Sequence, residues 1–168
     1  MNTNPPYHVP YRMFAWWLGE VKGMNKIHRY ELANAVKRMG IEMGDPRKIT
    51  MEDLTQCGAP KTWKRALPLY HEFALTFMPE ARNRDGIRLN FAELGREFGL
   101  TRNQVKKLFQ HFLHAHEKRK TDYIAMHGYL LTYVMPRVDY ALFREYLRRE
   151  SIKELNRTRT YADFLNSI

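Results

Sequence analysis

The sequence has almost no cysteine, since Cys57 is the only one among its 168 residues. A single cysteine excludes an internal disulfide and any zinc site built from several cysteines. This composition fits a reducing compartment. Cys57 follows a predicted short helix, and we expect it to be a small buried apolar residue.

Long apolar runs are also missing. The most apolar stretch, residues 129–135, is far too short to cross a bilayer. Residues 1–7 have neither the basic start nor the apolar run of a signal peptide. The three prolines among residues 1–10 predict that this segment is an extended lead-in. We therefore expect no membrane partner and a cytoplasmic location.

Patterns typical of catalysis and cofactor binding are absent from the sequence. The nine glycines are scattered singly, so there is no phosphate-binding glycine loop. The carboxylates form no grouping that suggests a two-metal nuclease. His111, His114 and His116 have a spacing that allows metal sharing, but they follow a basic helix and lack converging carboxylates, which favours phosphate or solvent contact. We predict no enzymatic activity, no cofactor and no metal site.

Positive charge, in contrast, is abundant. The chain has 28 lysines and arginines against 18 acidic residues, a net charge of +10. A charge of this size favours a polyanionic partner, with nucleic acid ahead of an acidic membrane surface. Hydrophobic residues make up 44% of the chain, which is enough to fill a real core.

Residues 91–110 have the pattern of two short helices joined by a tight turn. Gly99 lies where the chain must leave the first helix in a left-handed conformation, and Thr101 can cap the second helix. We expect the small Gly95 where the two helices cross most closely. The residues predicted to face the core are Leu94, Phe98, Leu100, Val105, Leu108, Phe109 and Phe112.

The opposite face of the second helix carries side chains that reach base edges and phosphates. Arg102, Asn103 and Lys106 are predicted to face bases, because they lie near the helix start. The predicted phosphate contacts are Lys107, Gln110, Arg96, Lys118, Arg119 and Lys120. Residues 101–120 contain six basic side chains and one acidic side chain, a charge of +5. The alternative is a helical hairpin that binds nothing.

This window resembles the helix-turn-helix of prokaryotic DNA-binding proteins. The resemblance covers about 20 residues and rests on the turn glycine, the flanking hydrophobics and the hydroxyl residue that opens the second helix. Gly95 departs from the more usual alanine. The resemblance implies that the partner is double-stranded DNA and that the helix beginning at Thr101 enters the major groove.

The residues around this window extend the pattern. Residues 87–90 alternate as a short strand does, and residues 122–135 contain two apolar runs that meet at His127 and Gly128, as in a β-hairpin. Together with a helix from Pro68 to Met78, ended by Pro79, they predict a winged helix-turn-helix domain over residues 68–136. One more buried helix over residues 124–134 is the alternative.

Residues 1–67 are predicted to form a helical N-terminal subdomain. Helices are expected over residues 11–22 and 26–39. Residues 51–67 repeat the later pattern weakly, with Gly58 in place of Gly99, although Pro68 is expected to interrupt the second helix early. This segment is either a second, degenerate helix-turn-helix or an ordinary helical support.

Residues 137–168 are predicted to be a C-terminal helical segment. Residues 138–149 form an amphipathic helix, and Tyr161, Phe164, Leu165 and Ile168 share one helical face farther on. Such a stripe is typical of dimerisation, and docking onto the same chain fits equally well. We predict a mainly α fold, with a helical N-terminal part and a winged helix-turn-helix that includes a short β-hairpin.

The predicted function is sequence-specific binding of double-stranded DNA, as in a transcriptional regulator. A homodimer through the C-terminal or N-terminal helices fits this role. One alternative is a replication-initiation or partition protein that binds repeated origin sites. Another is an RNA-binding or interaction module, since 13% of the residues are aromatic. The size and charge resemble those of small regulators of mobile elements, which is an analogy only.

Overall fold

The computed structural model describes residues 11–128 and 130–166, with the backbone alone for 155 and 158–162. This part of the chain is mainly helical with a small antiparallel sheet, which confirms the predicted fold class at that level. The helices and strands are α1 (Tyr11–Glu20), α2 (Lys26–Met43), α3 (Met51–Gln56), α4 (Lys61–His71), α5 (Met78–Asn83), β1 (Ile87–Arg88), α6 (Phe91–Phe98), α7 (Arg102–Ala115), β2 (Ile124–His127), β3 (Leu130–Met135) and α8 (Arg137–Asn166).

The chain divides into two compact units. Unit 1 comprises the residues up to Arg84 together with 124–132, and unit 2 comprises 85–123 together with the residues from Tyr133 onward. Helix α4 runs across the predicted domain boundary after Leu67, and α8 belongs to the same unit as α6 and α7. The predicted lead-in over residues 1–10 lies outside the described residues.

The core of unit 1 is built around aromatic side chains of α1 and the helices that follow α3. Phe14 and Trp17 are buried, and their ring centroids lie 5.4 Å and 5.5 Å from that of Phe73. Tyr70 packs edge-on against Phe14 at 5.3 Å. Trp17 therefore packs in the core, which is the commoner role for such a residue.

The predicted helix boundaries at Pro68 and Pro79 are wrong. Helix α4 continues past Pro68, and a π-helical segment, Glu72–Phe77, leads directly into α5. Both prolines are exposed, so a carbonyl left without its backbone donor can be hydrated. Pro79 is the second residue of α5, directly after the π-helical segment.

Unit 2 contains β1, α6, α7 and α8. Strand β1 pairs antiparallel with β3, with Ile87 opposite Met135 and Arg88 opposite Val134. The sheet order is β1-β3-β2, so the predicted short strand and hairpin are both present. Gly128 has a φ of +62°, which suits the left-handed backbone of the hairpin turn.

Helix α8 is one continuous helix of 30 residues, about 45 Å long. The two predicted helical segments on either side of Glu150 are joined into one helix, because no proline or glycine interrupts this region. Phe143 and Leu147 are buried, whereas Phe164 and Leu165 are 60% and 51% exposed. The side chains of Tyr161 and Ile168 lie outside the described part.

The prediction that Cys57 is buried is wrong. Cys57 is exposed, and its sulfur lies 3.4 Å from the carbonyl oxygen of Leu54. It follows α3 directly and precedes Gly58, whose positive φ changes the direction of the chain before α4 begins. The thiol is therefore open to solvent at a helix end.

Candidate nucleic-acid interface

The turn between α6 and α7 is defined by local hydrogen bonds. Gly99 ends α6 in the left-handed conformation, with φ +70° and ψ +33°. The backbone N–H of Leu100 then donates to the carbonyl oxygen of Gly95 at 2.8 Å. This is the glycine-terminated helix end that the sequence predicted.

Thr101 caps α7 as predicted. Its side-chain oxygen accepts a hydrogen bond from the N–H of Gln104 at 3.1 Å, and the Gln104 side chain accepts one from the N–H of Thr101 at 2.8 Å. This reciprocal capping box satisfies two donors that a helix start otherwise leaves without partners. The first turn of α7 is therefore fixed by its own sequence.

Gly95 is needed for a different contact from the one predicted. A Cβ atom at this position would lie 2.5 Å from the carbonyl oxygen of Leu100, and 3.4 Å from the carbonyl carbons of Leu100 and Thr101. The close approach is therefore between α6 and the backbone of the turn. Even alanine therefore does not fit here without movement.

The buried side of α7 is held by aromatic packing within unit 2. The ring centroid of Phe109 lies 4.9 Å from that of Tyr133 on β3 and 5.7 Å from that of Phe143 on α8. Phe112 lies 5.2 Å from Phe143 by the same measure. These contacts fix which side of α7 faces solvent, because interdigitated rings resist rotation of the helix.

The predicted DNA-contacting side chains of α7 all lie on its exposed side. Helix α7 contains no acidic residue, so no carboxylate on its own surface offsets its cations. Arg96 on α6 is also exposed. The exposed residues around α7 are Thr101, Arg102, Asn103, Lys106, Lys107 and Gln110.

The basic segment after α7 is a turn and not a helical extension. Helix α7 ends at Ala115, and Glu117 has a φ of +53°. The backbone N–H of Arg119 donates to the carboxylate of Asp122 at 2.8 Å. Lys118 and Arg119 are exposed and Lys120 is half-buried.

Arg144 on α8 contacts α6, and no local sequence pattern indicates this contact. It donates two hydrogen bonds to the carboxylate of Glu97, one of them at 2.7 Å, and its guanidinium lies 5.2 Å from the centroid of the Phe98 ring. This pairing lowers the pKa of Glu97 and raises that of Arg144. It neutralises an acidic side chain of α6 and ties α6 to α8.

The histidines of this region are spread around the end of α7. His111 and His114 are exposed, and the His116 ring lies 4.3 Å from that of Phe112, measured between centroids. In the part of the chain that the structure describes, no three His, Cys, Asp or Glu side chains are grouped as metal ligands.

Among the described helices, none is both long enough and apolar enough to cross a membrane. No protein family, curated protein or solved structure matches the chain.

Proposed function

We propose that this protein is a sequence-specific binder of double-stranded DNA that acts as a transcriptional regulator. The observation that carries the proposal is the exposed face of α7, which is basic, carries amide side chains and has no acidic residue. The start of this helix is held by the turn at Gly99 and by the Thr101 cap. Such a helix fits the major groove, where Arg favours guanine and Asn favours adenine.

The order of elements supports the winged form of the helix-turn-helix. A helix precedes β1, α6 and α7 follow it, and the hairpin of β2 and β3 comes next. Strand β1 pairs with the end of β3, which belongs to unit 2, whereas β2 and the first half of β3 belong to unit 1. The order of elements is the connectivity expected of a winged domain, which is part of the proposal.

A homodimer through α8 is also part of the proposal. Ile152 is 45% exposed, and Phe164 and Leu165 are more exposed still. Apolar side chains at such exposure favour an interface between two copies. A two-fold dimer reads a palindromic site, because each copy of α7 then contacts one half-site.

Selection of bound duplexes from a random pool tests the proposal. We expect a preferred palindrome for a dimeric regulator, whereas an array of direct repeats would favour origin binding. On the preferred site Arg102→Ala should cost about 1–3 kcal/mol and relax the sequence preference. Arg119→Ala is the control, because loss of a phosphate contact weakens all sequences alike.

Two results would contradict the proposal. One is recovery of no preferred duplex from the pool. The other is tighter binding of single-stranded RNA than of duplex DNA at equal salt, which would favour the RNA-binding alternative.

A further inference from the structure

Unit 1 contains a second pair of helices with the same turn geometry. Gly58 follows α3 with a φ of +65°, and the N–H of Ala59 donates to the carbonyl oxygen of Leu54 at 3.0 Å. Leu100 and Gly95 form the equivalent bond in unit 2. The caps differ, because a capping box between Thr50 and Asp53 opens α3, whereas α4 has no side-chain cap. The weak sequence repeat therefore corresponds to a repeated turn.

The second helices of the two pairs also bury equivalent positions. The buried residues match at a constant offset of 42: Trp63 with Val105, Leu67 with Phe109, and Tyr70 with Phe112. Because the buried faces coincide, the exposed faces coincide as well. At this offset Lys64 takes the place of Lys106, and Arg65 that of Lys107.

The exposed side of α4 is basic, and a groove beside it is basic too. Lys61 and Arg65 are exposed, and α4 contains no acidic residue. The groove lies between α2 and the start of α4, and Lys37 and Arg38 line it together with Glu31. Within the described residues, no carboxylate forms an ion pair with these four cations.

The side chains of α4 suit phosphates better than bases. Helix α4 has no Asn or Gln, and Pro68 stands where Gln110 stands in α7. Lysine binds phosphate as a point charge, and a cationic groove attracts the DNA backbone regardless of sequence. We infer that α4 and the adjacent face of α2 form a second duplex-DNA surface, which binds phosphates and does not read sequence.

The inference rests on the proposed function in one respect, which is that the ligand is duplex DNA. The test uses the full chain and two double variants of equal charge. Lys61→Gln with Arg65→Gln removes two cations from the surface, and Lys48→Gln with Arg82→Gln removes two exposed cations of unit 1 that lie outside α2 and α4. Far-UV circular dichroism verifies that both variants are folded.

The readout is the dependence of DNA affinity on salt. Each phosphate contact contributes about 0.9 to the slope of log affinity against log salt, so loss of two contacts makes it shallower by about 1.8. A fourfold rise in salt then weakens the wild type about 12-fold more than the Lys61/Arg65 variant. We expect preferred and random duplexes to show the same change, and the control to keep the wild-type slope.

Equal slopes for the two double variants would overturn the inference. If Arg102→Ala still relaxes sequence preference in that case, the proposed function stands and only the second surface is lost. If the Lys61/Arg65 variant alone changes binding and Arg102→Ala changes nothing, the second surface stands and the assignment of α7 fails.

Discussion

Replacement of Gly95 by alanine tests whether the backbone of the turn at Leu100 lies in close contact with α6. The added Cβ would lie 2.5 Å from the carbonyl oxygen of Leu100, and real Cβ contacts essentially never fall below 3.0 Å. The carbonyl must therefore move by at least the difference, 0.5 Å. Its movement is opposed on one side by the Leu100 to Gly95 hydrogen bond and on the other by the Thr101 capping box.

The magnitude follows from two opposing terms. Overpacking of a close contact costs about 1–3 kcal/mol. Alanine in a helix gains about 1 kcal/mol over glycine in propensity. The net expectation for Gly95→Ala is a loss of about 1 kcal/mol in the free energy of unfolding, measured by urea denaturation followed by circular dichroism.

Ala92→Gly, in the same helix, is the matched control. This substitution loses the helix propensity that Gly95→Ala gains, and it introduces no steric clash. We therefore expect it to lower the free energy of unfolding by up to about 1 kcal/mol. If propensity decided the outcome, Gly95→Ala would stabilise the protein. An increase in stability would refute the close approach of α6 to the turn.

Three other substitutions give further predictions. Tyr70→Phe should stabilise by about 1 kcal/mol, because the buried Tyr70 hydroxyl has no hydrogen-bond partner among the described residues. Tyr123→Phe should destabilise by about 1 kcal/mol, because its hydroxyl donates to Asp139 at 2.9 Å. For either variant, a urea midpoint equal to that of the wild type would contradict its prediction. The pairing with Arg144 lowers the pKa of Glu97, so its contribution is present above the ordinary value of 4.5 and is lost as pH falls through the lowered pKa. Glu97→Gln should therefore reduce the acid-induced drop in urea midpoint, and parallel pH curves would show that the pair adds no stability.

Features specified by neighbouring residues could be predicted from the sequence. Gly99 and Thr101 mark a helix end and a helix start through backbone conformation and capping, and both depend on a few adjacent residues. The hairpin turn at Gly128 is equally local. The exposure of Arg102 and Asn103 followed from the apolar spacing along α7, because the buried face fixes the opposite one.

Other features depend on contacts between distant residues. The pairing of Arg144 with Glu97 spans 47 positions, and no local pattern indicates it. Pro68 and Pro79 were interpreted as helix ends, yet both lie on the exposed side of one helical path in which a π-helical segment changes the register. Whether a proline breaks a helix depends on hydration and register, which the sequence pattern does not contain.

The central claim is that the start of α7 lies in the major groove of its preferred site. The single Cys57 is exposed, so Cys57→Ser leaves a background in which Asn103→Cys can carry a DNA-cleaving reagent. Arg157→Cys, also exposed, is the control on α8. The proposal predicts cleavage confined to the selected site from position 103 and none from position 157. Intact binding with no localised cleavage from position 103 would contradict it.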